Sequence, residues 1–152
     1  MVTITSKSDI FDIALVQIKE NPLPLIQVLP HLEELNLNNA FVGTYLWFHE
    51  GFPKLKELYL LSFHQLKLMV IEAGAISVLE ILHIVNCMKL NRVPFGMQHL
   101  TNLKELGLFF VPNEAVERLR EEDSVDRPSL QNIPRITLLY ESATGLSYES
   151  LP

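Results

Sequence analysis

Apolar residues recur along this chain in the order apolar-x-x-apolar-x-apolar. The clearest copies are Leu32-Glu-Glu-Leu35-Asn-Leu37, Leu55-Lys-Glu-Leu58-Tyr-Leu60, Leu79-Glu-Ile-Leu82-His-Ile84 and Leu103-Lys-Glu-Leu106-Gly-Leu108. Their spacing is 23, 24 and 24 residues. An earlier copy is Ile10-Phe-Asp-Ile13-Ala-Leu15, and a later one, after a longer gap of 30, is Ile133-Pro-Arg-Ile136-Thr-Leu138. All 18 ladder positions are Leu or Ile, although these make up only 38 of the 152 residues, so a random register would match at about four or five. A fixed period of this length marks a stack of supersecondary units.

The physics is that of a leucine-rich repeat. The last two apolar residues of each copy are two apart, as on one face of a β-strand. The first caps the turn into that strand. One coil cannot bury its own apolar face, so coils stack and their strands pair in parallel about 4.8 Å apart. The expected fold is therefore an α/β repeat solenoid with a concave parallel sheet of about six short strands, near 13–15, 35–37, 58–60, 82–84, 106–108 and 136–138. Residues 1–9 read as a leader and 10–140 as the repeat domain, with starts near 10, 32, 55, 79, 103 and 133. Residues 141–152 have no period and are expected to be a disordered tail.

The convex returns are irregular. Pro22 to Leu29 and Pro94 to Leu100 each suit a short helical turn opened by proline. Leu66 to Ala73 alternates and reads as a convex strand. The position eight residues after each start is Ile18, Ala40, Phe63, Cys87 or Val111, so apolar side chains pack these turns. The long last gap accommodates a helix over Pro112 to Glu122, with Asn113 as its N-cap and Ala115, Val116 and Leu119 facing inward. This helix and the strand at Ile136 close the C-terminal end. At the other end, the coil beginning at Ile10 is expected to be uncapped.

Charge narrows the function. Lys plus Arg number 12 against 18 Asp plus Glu, a net charge of −6, so no nucleic-acid surface is expected. One cysteine makes no internal disulfide, and no Asn-x-Ser/Thr sequon occurs. The most hydrophobic window, Leu66 to Val85, carries Lys67, Glu72, Glu80 and His83, so no membrane span is expected. No phosphate loop, nucleophile elbow, His-Glu-x-x-His or Cys-x-x-Cys occurs, and His49-Glu50 lacks a second His. His83 and Cys87 are four apart, but a strand followed by a turn sends them to opposite sides, and Cys87 reads as a buried thiol. The chain is therefore expected to be no enzyme, with no cofactor and no metal.

The candidate site is the concave face, where the residues between ladder positions point outward. One column is Asp12, Glu34, Glu57, Ile81, Glu105 and Arg135, and it is acidic. The next is Ala14, Asn36, Tyr59, His83, Gly107 and Thr137. The third, Val16, Asn38, Leu61, Val85, Phe109 and Leu139, is apolar. The fourth is Gln17, Asn39, Ser62, Asn86, Phe110 and Tyr140. A protein partner should centre on Tyr59, Leu61, His83, Val85, Phe109 and Phe110, extended by Leu139 and Tyr140, because aromatic and aliphatic side chains bury large areas at low entropic cost. Glu34, Glu57 and Glu105 would raise the encounter rate of a basic partner.

The order of motifs resembles the C-terminal leucine-rich-repeat region of plant coiled-coil nucleotide-binding leucine-rich-repeat (NLR) disease-resistance proteins. The stretches that carry the resemblance begin with Leu29-Pro-His-Leu-Glu-Glu-Leu-Asn-Leu and Gly51-Phe-Pro-Lys-Leu-Lys-Glu-Leu. They continue through Ile71-Glu-Ala-Gly-Ala-Ile and Leu79-Glu-Ile-Leu-His-Ile-Val-Asn-Cys-Met-Lys-Leu to Val93-Pro-Phe-Gly-Met-Gln-His-Leu-Thr-Asn-Leu-Lys-Glu-Leu and Ala115-Val-Glu-Arg-Leu-Arg. The resemblance implies a cytoplasmic defence role. Such repeats sense a pathogen effector or a guarded host protein, or hold a nucleotide-binding module inactive. This chain carries neither coiled coil nor nucleotide-binding module, so it resembles a terminal fragment or truncated copy, and ATP binding is not carried over. The extracellular-receptor string Asn-x-Leu-x-Gly-x-Ile-Pro is absent. The alternative is a free-standing intracellular leucine-rich-repeat scaffold.

Overall fold

The computed structural model describes residues 20–39 and 41–151 in full, and the backbone alone of 2–5 and 10–13. In chain order the elements are β1 (Val2–Thr5), β2 (Ile10–Ile13), α1 (Leu23–Ile26), β3 (Glu34–Asn38), β4 (Tyr45–Phe48), β5 (Glu57–Leu61) and β6 (Leu68–Ile71). They continue as β7 (Ile81–Val85), β8 (Glu105–Phe109), α2 (Asn113–Arg120), β9 (Arg135–Ser142) and β10 (Gly145–Leu151), with short 3₁₀ turns at Met97–His99 and Arg127–Leu130. The main sheet runs β10-β9-β8-β7-β5-β3-β1-β2. Within it β3, β5, β7, β8 and β9 pair in parallel, each with the next coil, and equivalent ladder positions lie side by side: Leu35, Leu58, Leu82, Leu106 and Ile136. This is the expected leucine-rich-repeat solenoid.

The ladder explains why the coils stack. Leu35, Leu37, Leu58, Leu60, Leu82, Ile84, Leu106 and Leu108 are buried, and each contributes roughly 1.5–3 kcal/mol of burial. Strands β3, β5, β7 and β8 each leave the sheet through one residue in the left-handed region: Asn39 (φ 47°), Ser62 (φ 59°), Asn86 (φ 55°) and Phe110 (φ 53°). Their N–H groups continue the sheet by donating to Leu61, Val85, Phe109 and Leu139 carbonyls of the next coil. Asn tolerates this conformation, whereas Phe110 is strained in it. The following residue turns inward, and Phe63, Cys87 and Val111 are buried, as the apolar turn positions required. Burial pushes the Cys87 thiol up to about 11.

The convex side carries a second, two-stranded parallel sheet of β4 and β6. The expected strand near 66–73 is β6. Its partner β4 was not foreseen, because Tyr45-Leu46-Trp47-Phe48 shows no polar alternation. Leu46, Phe48, Met69 and Ile71 face the core, while Tyr45 and Trp47 face solvent. Gly96 (φ 88°) must be glycine, since a Cβ there would lie 1.8 Å from the Ile71 carbonyl oxygen. The expected helical turns occur as α1 and the Met97–His99 turn. Helix α2 buries Ala115, Val116 and Leu119, but Pro112 occupies the N-cap position and Asn113 is the first helical residue, with no side-chain cap.

Both ends of the sheet depart from expectation. The strand expected at 13–15 is β2, at 10–13, and it is not a parallel member of the stack. β1 pairs antiparallel with both β2 and β3. Val2-Thr-Ile-Thr5 is a run of β-branched residues, which suits a strand, so the supposed leader supplies one and the edge of β3 is paired. Ala14 to Ile18, within which the first coil's Leu15 falls, and Ala40 lie outside the described residues. At the other end, residues expected to be disordered form β10. Gly145 (φ 114°) makes the reversal and β10 pairs antiparallel with β9 over seven residues. Its alternation had been obscured by Ser and Glu on the inward face.

Candidate functional site

Strand register places the outward residues in rows across the concave face. One row is Glu34, Glu57, Ile81, Glu105 and Arg135. The next is Asn36, Tyr59, His83, Gly107, Thr137 and Ser150. The third is Asn38, Leu61, Val85, Phe109, Leu139 and Tyr148. Directly opposed residues on one sheet face have Cβ atoms about 4.5–5.5 Å apart, so the apolar part of the third row is continuous over five strands.

The middle row is held by aromatic packing. The His83 ring meets Tyr59 edge-on at 5.2 Å and Phe109 at 5.3 Å between centroids. Gly107 leaves the space that the Phe109 ring fills; a Cβ there would lie 2.7 Å from that ring. The acidic row is tied to the middle one. Tyr59 donates its hydroxyl to Glu57 at 2.7 Å, and His83 Nε2 donates to Glu105 at 2.8 Å. Arg135 donates to the other Glu105 oxygen at 3.0 Å. The His83 hydrogen bond, with Arg135 beside it, lowers the Glu105 carboxyl below its ordinary range. Burial, reinforced by the Glu57 hydrogen bond, raises the Tyr59 phenol well above its own. The acidic row is therefore neutralised at its C-terminal end by Arg135, and Glu34 and Glu57 carry its remaining field.

Most expected site residues come together here: Tyr59, Leu61, His83, Val85, Phe109 and Leu139, rimmed by Glu34, Glu57 and Glu105. Two do not belong to the outward rows. Phe110 lies in the left-handed turn leaving β8. Tyr140 points to the other face of β9, packs against the core, and has its hydroxyl between Arg120 of α2 and Glu149 of β10. The reason is that β9 continues straight into a hairpin instead of turning after Leu139, so alternation carries Tyr140 inward. Two residues absent from the expectation, Leu146 and Tyr148, enter the outward face on β10, 62% and 72% exposed. The alternation Leu146-Ser147-Tyr148 was the available signal.

Among the described residues no group of three His, Cys, Asp or Glu side chains could hold a metal, and no helix is long and apolar enough to cross a membrane. Parallel register, buried ladder and half-buried concave rows define a leucine-rich-repeat solenoid of the α/β repeat class. Its sequence is homologous to part of plant NLR disease resistance proteins. Over 135 residues, 89% of this chain, it is 42% identical to disease resistance protein RPM1 of Arabidopsis thaliana. It is 32% identical to disease resistance RPP8-like protein 3 over 78% of the chain, and 30% identical to disease resistance protein RPP8 over 80%, both from the same plant. The matched stretch spans 15% of the first of these relatives and 13% of the other two. No family model matches the chain. No solved structure matches it either.

Proposed function

We propose that this chain is a non-catalytic protein-interaction module with a role in plant defence. It would serve in the cytoplasm as the sensing or autoinhibitory repeat segment of an immune receptor. The observation that carries this reading is the unbroken row Leu61, Val85, Phe109, Leu139 and Tyr148 on an otherwise polar-rimmed concave face. An apolar centre of this kind within a charged border has the anatomy of a protein interface. The partner is a pathogen effector, a guarded host protein, or the nucleotide-binding module of a parent receptor.

The test uses the nucleotide-binding module of a disease resistance protein, supplied in trans with the full chain. Binding is expected, and Phe109→Ala with Leu139→Ala should weaken it by more than about tenfold, as for central interface residues. Asn36→Ala with Asn38→Ala should change it little. No association with this module or with a matched effector, or greater damage from the asparagine pair, would contradict the reading.

A further inference from the structure

The sheet ends at β10, and among the described residues no strand pairs with its outer edge. Open edges are normally protected by Lys, Pro, a bulge, an inward charge or brevity. Gly145–Leu151 contains neither Lys nor Pro, runs seven residues, and keeps uninterrupted register with β9. Its one charge, Glu149, lies on the face toward α2 and is already engaged by Arg120 at 2.6 Å. The concave face of the same strand presents Leu146 and Tyr148 largely to solvent.

We propose that β10 is the docking edge for a second copy of this chain, paired antiparallel about a two-fold axis at Tyr148 so that the two concave sheets become one. Register singles out this arrangement. With the axis at Tyr148, all seven residues pair: Tyr148 with its equivalent, Ser147 with Glu149, Leu146 with Ser150 and Gly145 with Leu151. No like charges face one another, and a serine hydroxyl stands opposite each Glu149 carboxylate. An axis at Glu149 sets two carboxylates face to face and pairs only 147–151. An axis at Ser147 pairs only 145–149. The Tyr148 axis also continues the row Leu61, Val85, Phe109, Leu139 and Tyr148 directly into the same row of the second copy.

A two-fold edge contact closes on itself, consuming the β10 edges of both copies at once, whereas an unrelated strand would leave its own outer edge exposed. The contact is small, because one seven-residue edge buries less than a standard interface. The dimer is therefore weak and concentration-dependent. Each copy carries a net charge of −6, so added salt should strengthen it.

Sedimentation equilibrium of the full chain tests this. Dimers are expected at roughly 100 µM and monomers near about 1 µM, the range of a weak specific contact. Tyr148→Lys, which opposes two ammonium groups at the axis, should leave a folded monomer at every concentration. Tyr148→Cys, exposed to air oxygen, should form a disulfide-linked dimer, while the exposed control Lys54→Cys should not. The native thiol, Cys87, is buried and does not compete. A wild-type chain that stays monomeric at the highest concentration overturns the proposal. So does a dimer that persists in folded Tyr148→Lys. Should Tyr148→Lys fail to fold, the cysteine pair decides: cross-linking no faster at 148 than at 54 also overturns it.

Discussion

The ring of Phe109 occupies the space that a side chain at Gly107 would need. A Cβ at 107 would fall 2.7 Å from two of its ring carbons and 2.8 Å from His83 Cδ2. The clashes are with the ring atoms of two half-buried side chains, so Phe109 can swing outward and the His83 ring must give by a few tenths of an ångström with it. Gly107→Ala also removes unfolded-state freedom, so net stability should change by less than about 1 kcal/mol. The expected result is a displaced Phe109 ring, read as a change in the ring-current shifts of His83 and Tyr59, with thermal stability nearly unaltered. Unchanged ring shifts would mean that Phe109 does not depend on the missing Cβ.

Leu82 lies in the middle of the stack and has no exposed surface. Leu82→Ala should cost about 2–5 kcal/mol, the range for a large buried residue truncated in a packed core. Leu61, half-buried on the concave face, should cost no more than roughly half as much when truncated. Denaturant titration of the two variants separates core from face. Equal losses would contradict the assignment of Leu61 to the solvent side.

The stacked coils were legible because a solenoid repeats one physical constraint at fixed spacing: each ladder leucine must meet its equivalent in the next coil. Leu35, Leu58, Leu82 and Leu106 therefore declare themselves without any tertiary knowledge. The ends carry no such constraint. Val2–Thr5 and Gly145–Leu151 each occur once, and their pairing is antiparallel, set by the edge they meet and not by a period. The same gap explains Tyr140. Its place seven residues after Ile133 implied a turn position, as at Phe110, but a hairpin strand continues there and alternation reverses its direction. Strand β4 was hidden for a different reason. Its solvent side carries Tyr45 and Trp47, so burial and polarity do not alternate together.

Cys87 is fully buried at an inner corner, and burial pushes its thiol up to about 11. A protonated, covered thiol neither attacks nor is attacked. An aromatic disulfide reagent should therefore leave it unmodified in the native protein at neutral pH and label it at the unfolding rate in denaturant. Rapid labelling without denaturant would show that the corner opens locally.

Acid should weaken the fold through Glu105. Its native-state pKa is lowered, first by the His83 hydrogen bond and then by Arg135, while the unfolded value stays near about 4.3. The stabilisation is thus fully present above the unfolded value and lost as pH falls through the lower native one. Glu149, lowered by Arg120, follows the same sign. Melting temperature should fall on acidification below about pH 4.3, and Glu105→Gln should make that fall shallower without removing it. An acid limb identical in the variant would mean that the His83–Glu105–Arg135 contacts do not differ between folded and unfolded chains.

Arg120 joins the C-terminal helix to the terminal hairpin. From α2 it donates to Glu117 at 2.7 Å, to Glu149 of β10 at 2.6 Å, and to the Tyr140 hydroxyl, with its guanidinium 5.0 Å from the Tyr140 ring centre. Lysine cannot reproduce this, because one ammonium lacks the planar fork that serves three acceptors and stacks on a ring. The Arg120 side chain is 34% exposed and that of Glu149 31%, so water screens part of the interaction. After that discount, Arg120→Ala should cost about 1 kcal/mol, nearer to a surface pair than to a buried one. The loss should be local. With Glu149 released, β10 is held by its backbone bonds to β9 and the contact of Leu151 with the core. Amide exchange should then accelerate across Gly145–Leu151 while β5 and β7 keep their protection, with Arg120→Lys intermediate. Equal acceleration throughout the sheet would instead make Arg120 a determinant of the whole stack, and unchanged exchange in β10 would leave the hairpin held by the backbone alone.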